Sequence, residues 1–113
     1  MTDLASLGCT PCRADAPQVT ELETATYLER LPGWEVVEVG GERRLVRSFD
    51  FADFAQALAF TDRIGALAEA ENHHPSLTTE WGRTTVSWWT HAIGGLHLND
   101  FVMAARTDTV AGV

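Results

Sequence analysis

Pro75 is the residue that most constrains how this chain can fold. Upstream of it, residues 53–70 carry a helical period. Phe54, Ala57, Leu58, Phe60, Ile64, Leu67 and Ala68 cover more than half of the circumference at 100° per residue. Downstream, "SLTTEW" and "TTVSWWTH" are rich in β-branched and aromatic residues and alternate like strands. A proline pushes the residue before it towards extended geometry, so the helix must stop before position 75. A helix resting on a sheet buries a narrower apolar stripe than this one offers. The excess predicts a second contact, with another helix or another subunit.

The remaining elements follow from shorter signals. Thr20 with Glu23 three residues later is a capping box, which predicts a short helix ending near Leu31, Pro32 and Gly33. "WEVVEV" and "RRLVRSFDF" flank Gly40 and Gly41 and read as a hairpin. A second hairpin turns at Gly82 and Arg83, with Val86 and Trp88 on one face and Ser87, Trp89 and His91 on the other. "AIGGLHLND" is a loop, and a last helix starts with Asn99 or Asp100 near its N-cap. The order is α-β-β-α-β-β-α. This is an α+β fold, a four-stranded antiparallel sheet with three helices on one face. The 113 residues suit one domain, read as 19–113 behind a flexible tail of 1–18.

The formal charge of −8 repels phosphate backbones. Arg43, Arg44 and Arg47 are the one local basic group, and a solvated strand accounts for them. Direct nucleic-acid binding is therefore disfavoured, and a neutral small ligand fits the field better. No apolar run is long enough for a membrane span, and the N-terminal stretch has no apolar signal core, so a cytoplasmic protein is expected. Cys9 and Cys12 form a C-x-x-C in the tail. Without a second such pair, they read as reduced and non-catalytic, or as half of a zinc site that would need histidines.

Three of the four histidines can be brought together. The stretch "ENHHPS" holds His73 and His74, and it can bind metal, do acid–base chemistry or only turn a corner. Glu69 lies four residues before His73, within reach if the last helical turn persists. The second hairpin brings His91 to the same end of the sheet, and Asn99 and Asp100 can close it. Adjacent histidines diverge, which weighs against one shared ion. Imidazole titrates near neutrality, and a pair can protonate a leaving hydroxyl while removing a proton elsewhere, as a dehydration requires. No nucleophile in a turn, P-loop or dinucleotide fingerprint competes. Trp81, Trp88 and Trp89 could face a flat ring, or be core and interface residues. His97 has no companion and is expected at the surface.

Together, Glu69-x-x-x-His73-His74-Pro75, Trp81, His91 and Asp100 resemble the signature of the pterin-4a-carbinolamine dehydratases. The likeness runs over residues 31–108 and includes "FDFADFAQALAFTDRIGALAEAENHHP" and "THAIGGLHLNDFVMAART". "TEWGRTTVSWWTH" is most similar to bacterial members linked to phenylalanine hydroxylation. The resemblance implies dehydration of 4a-hydroxytetrahydrobiopterin to quinonoid dihydrobiopterin, without metal or other cofactor. It implies His73, His74 and His91 as the catalytic set, Glu69 orienting His73, and Asp100 supporting His91 or the loop. Asn72, Trp89 and Thr90 would line the pterin site, partly through main chain. It further implies homodimers, or tetramers as dimers of dimers, and a functional link to phenylalanine hydroxylase. Animal members also bind a transcription factor, so a protein-binding role for the apolar helix face is the alternative. Asn99 stands where animal members carry a basic residue.

Overall fold

The computed structural model describes residues 4–7 and 17–113. Helix α1 (Glu21–Leu28) begins at the expected capping box. Thr20 Oγ1 accepts from the Glu23 N–H at 3.1 Å, and Glu23 Oε1 accepts from the Thr20 N–H at 2.9 Å. Hydrogen bonding to its carboxylate from the Thr20 main chain, and then from the Thr20 side chain, holds the Glu23 carboxyl below its ordinary range. Strands β1 (Glu35–Val39) and β2 (Glu42–Asp50) follow. Gly40 and Gly41, at φ of 58° and 82°, make the two-residue turn that only residues tolerant of positive φ allow.

Helix α2 (Phe54–Glu71) starts where the Asp53 side chain accepts from the Gln56 N–H at 2.8 Å. It buries Ala57, Phe60, Ile64 and Ala68, a stripe at spacings of three and four. Full burial of Phe60 contributes roughly 1.5–3 kcal/mol. Phe54 and Leu58, also in the wide apolar arc, stay 45% and 43% exposed. Besides the sheet, α2 packs on helix α3 (Leu98–Ala111). Between them run β3 (Ser76–Glu80) and β4 (Arg83–Trp88).

The sheet is antiparallel throughout, in the order β1-β2-β4-β3. Leu45 and Phe49 of β2 join Thr84, Val86 and Trp88 of β4 on the face covered by α2 and α3. Helix α1 reaches this layer through Tyr27, whose ring lies 5.0 Å from that of Phe101. The opposite face carries Arg44, Val46, Ser48, Thr85 and Ser87, all half-buried or exposed. Polar atoms in the core are paired. Trp88 donates to Thr107 Oγ1 at 3.0 Å, and Thr84 donates to the Ala57 carbonyl at 2.9 Å. Near the end of α3, Asp108 accepts from Trp34 and Arg47, while burial pushes its carboxyl above the usual range.

Three boundaries differ from the sequence reading. The second hairpin turns at Trp81 and Gly82, because Glu80 pairs with Arg83. Strand β4 ends at Trp88, so His91 opens a short 3-10 turn (His91–Ile93) instead of closing the strand. The N-cap of α3 is His97, which places Asn99 and Asp100 inside the first turn. The tail carrying Cys9 and Cys12 lies outside the described residues. Two described parts of 1–18 are tied to the domain. Leu4 is buried, and Arg106 donates to the carbonyls of Ala5 and Leu7. Gln18 donates to the Ile93 carbonyl, and the Val19 N–H donates to the Leu96 carbonyl at 2.9 Å. No described helix is long and apolar enough to cross a membrane.

Candidate active site

The site is built where α2 stops. Asn72 caps that helix in the left-handed conformation, at φ 51°. The His73 N–H then reaches back to the Ala68 carbonyl at 3.1 Å, which is the pattern of a helix closed by a left-handed residue. This reversal separates the two histidines. His73 turns inward, is 9% exposed, and stacks on Trp88 with ring centroids 5.8 Å apart and planes 10° off parallel. His74 turns outward, with half of its side chain exposed.

The partners are not those that helical spacing suggests. Glu69 does not orient His73. It bonds His74, Oε1 to Nε2, at 2.6 Å. The left-handed cap ends the α-helical path, so the residue four positions on no longer lies above Glu69, and the next one does. His73 Nε2 instead meets Asp100 Oδ1 at 2.7 Å. Nor does Asp100 contact His91. Its other oxygen accepts from Thr90 Oγ1 at 2.8 Å and from the His97 N–H at 2.9 Å. Asp100 is fully buried, and these bonds compensate its lost hydration. It therefore ties together α2, the end of β4 and the start of α3.

His91 lies across the turn, and its Nε2 meets the His74 carbonyl at 3.1 Å. Its ring is 4.4 Å from that of Trp89. A carbonyl oxygen only accepts, so His91 Nε2 carries the proton. Ionised carboxylates impose the same on His73 and His74. All three imidazoles are thus anchored through Nε2, and Nδ1 is the nitrogen through which each, when neutral, can accept a proton.

The other expected site residues are placed as follows. Asn72 is exposed at the helix cap. Trp89 and Thr90 are 8% and 2% exposed. The Thr90 hydroxyl is committed to Asp100, its N–H donates to the Gly95 carbonyl at 2.8 Å, and its carbonyl accepts from Ile93 and Gly95. Trp88 and Trp34 are core, whereas Trp81 is 74% exposed at the hairpin tip. His97, expected at the surface, is half-buried. Its Nδ1 accepts from the Asn99 N–H at 3.1 Å. The spacing His97-x-x-Asp100 is that of a capping box with an imidazole in place of a hydroxyl, a signal the sequence carries. Among the described residues, no three His, Cys, Asp or Glu side chains converge as a metal-binding group. A cleft of about 510 Å³ lined by Arg30, Pro32, Gly33, Arg47, Asp108 and Val113 lies at the far end of α3 and includes none of the histidines.

Proteins similar to this chain match it over most of its length. A Marinobacter nauticus protein named as a pterin-4-alpha-carbinolamine dehydratase is 54% identical over 108 residues, covering 96% of this chain and 97% of its own. One so named from Gloeobacter violaceus is 56% identical over 109 residues, covering 96% and 94%. A crystal structure of a transcriptional coactivator/pterin dehydratase from Brucella melitensis superposes with a TM-score of 0.76. Its identity is 33%, over 85% of this chain and 100% of that one. A pterin dehydratase-like protein described as a RuBisCO assembly factor in the alpha-carboxysome gives 0.59 at 27% identity, over 71% and 90%. The pterin 4 alpha carbinolamine dehydratase profile matches residues 17–110. With that match spanning every element that builds the site, the chain belongs to the pterin 4 alpha carbinolamine dehydratase family, whose named activity is that of a hydro-lyase.

Proposed function

We propose that this protein removes water from a pterin 4a-carbinolamine, in the 4a-hydroxytetrahydrobiopterin class, to give the quinonoid dihydropterin. The observation that carries this reading is the buried His73–Asp100 pair, with His74 and His91 beside it. The chemistry needs one proton delivered and one removed. An imidazolium protonates the 4a-hydroxyl, the C4a–O bond breaks, and water leaves. A neutral imidazole takes the proton from the adjacent ring nitrogen, and that N–H electron pair becomes the new C=N bond. No electrons are gained or lost, so acid–base groups suffice. His73, His74 and His91 are the acid–base set in this reading. Asp100 orients His73, and Glu69 orients His74. Asn72, Trp89 and Thr90 border the ring. The reaction returns the pterin spent by an aromatic amino acid hydroxylase, of which phenylalanine hydroxylase is the expected one, in the cytoplasm.

The test is carbinolamine decay followed with purified protein. His73→Ala and His91→Ala, made singly, should each lower the rate by about 10²-fold. Unchanged rates in both variants would overturn the reading.

A second role has an observation of its own. Phe54 and Leu58 leave an apolar strip on α2 exposed, and the Brucella and carboxysome relatives are described by coactivator and assembly functions. A strip of this kind suits self-association into dimers or tetramers, and it also suits a protein partner. A substitution on α2 that abolishes partner binding and leaves dehydration intact would separate that role from the first.

A further inference from the structure

Arg44 lies on the sheet face away from the helices, and the dehydration chemistry gives it nothing to do. Its surroundings are nonetheless specific. The guanidinium carbon sits 3.9 Å from the centroid of the Trp89 ring. Arg44 Nε is buried and has no hydrogen-bond partner. An unpaired buried donor is costly, so the stacked position is held against the pull of a hydrogen bond elsewhere. Glu42 steadies the arginine from the same strand at 3.6 Å. A side chain on Gly94 would come within 3.2 Å of Glu42 Oε2, so the start of β2 also lies against the loop that follows His91.

A second contact of the Trp89 ring, with His91, gives the stack a use. His91 is exposed, and two contacts hold it, the His74 carbonyl and the Trp89 ring. A single hydrogen bond through Nε2 leaves the imidazole able to rotate about that bond. The indole supplies the wall that fixes the ring plane. Trp89 sits just beyond the last residue of β4, where the strand ladder no longer fixes it. Arg44 clamps it.

We propose that Arg44 is a positioning residue for His91, acting through Trp89. The inference deepens the dehydratase reading and rests on it for the use of His91, but the clamp itself can be tested without turnover. Arginine suits the task because its planar cation covers the indole face, which lysine's point charge does not.

The test uses the full chain with Arg44→Met, which keeps bulk and removes the planar charge, and Arg44→Gln as a second, polar replacement. Proton NMR of the imidazoles reads the geometry. The His91 ring signals, displaced by the Trp89 ring current, should move towards free-imidazole positions in both variants, while those of His73 stay in place. In the carbinolamine assay kcat should fall about 10-fold with KM nearly unchanged, as misorientation of a reacting group predicts. In a Trp89→Leu background the Arg44→Met loss should vanish, because the mediator is gone. Unmoved His91 signals, or a loss that persists without Trp89, would overturn the proposal. Wild-type protein that fails to turn over the carbinolamine would overturn the dehydratase reading, and the NMR comparison would still decide the clamp.

Discussion

Asp100 serves three donors with two oxygens: the His73 imidazole, the Thr90 hydroxyl and the His97 main chain. Replacing it by asparagine keeps the shape and one acceptor oxygen. The amide that replaces the other oxygen must donate to His73 Nε2, which moves the ring proton to Nδ1 and reverses the tautomer. Asp100→Asn should therefore lower the dehydration rate by about 10²-fold while the protein stays folded. Carbinolamine kinetics and circular dichroism check both halves. That His73 and Asp100 would sit near one another was legible from the order of strands and helices. Their pairing was not. Spacing along an ideal helix connected Glu69 to His73, and only the left-handed cap at Asn72 redirects His73 inward and gives Glu69 to His74. Arg44 was less legible still. Its link to Trp89 depends on the register of β2 against β4, and no local motif encodes register.

Among the elements, the C-terminal end of α2 decides the geometry of the site. Asn72 adopts a conformation that L residues other than asparagine, aspartate and glycine resist, by about 1–2 kcal/mol. Asn72→Gly should keep stability within about 0.5 kcal/mol. Asn72→Val should cost about 1–2 kcal/mol or more, since branching adds to the strain. Urea unfolding of the two variants measures the difference. Equal losses in both would show that the Asn72 side chain, and not its backbone, carries the cap. The element order and the Thr20–Glu23 capping box were readable because each rests on residues close in sequence, whereas the His97–Asp100 box was missed because an imidazole stands where a hydroxyl is usual. The hairpin turn slipped by one residue for the opposite reason. Trp81 has a strand former's composition, and its place in the turn is set by the pairing of Glu80 with Arg83.

On the scale of the molecule, the sheet and three helices account for the buried residues, yet Phe54, Leu58 and Trp81 stay 45%, 43% and 74% exposed. Water contact at large apolar groups favours association, and the width of the apolar arc on α2 pointed the same way. Sedimentation equilibrium should give a mass that is a multiple of 12.4 kDa. Leu58→Glu should return it to a single copy with unchanged helix content. A wild-type mass of one copy would rule out this use of the face.

The straps at the start of the chain set an order in time. Val19 is bonded to Leu96, and Arg106 to Ala5 and Leu7, so the first residues made wait for the last. During synthesis His73 emerges well before Asp100, and it stays without its carboxylate until α3 has followed. A chain that stops short of α3 keeps the Glu69–His74 bond and the contact of His91 with the His74 carbonyl, but His73 lacks the carboxylate that holds its ring. The inward histidine is therefore completed last, by the docking of the final helix.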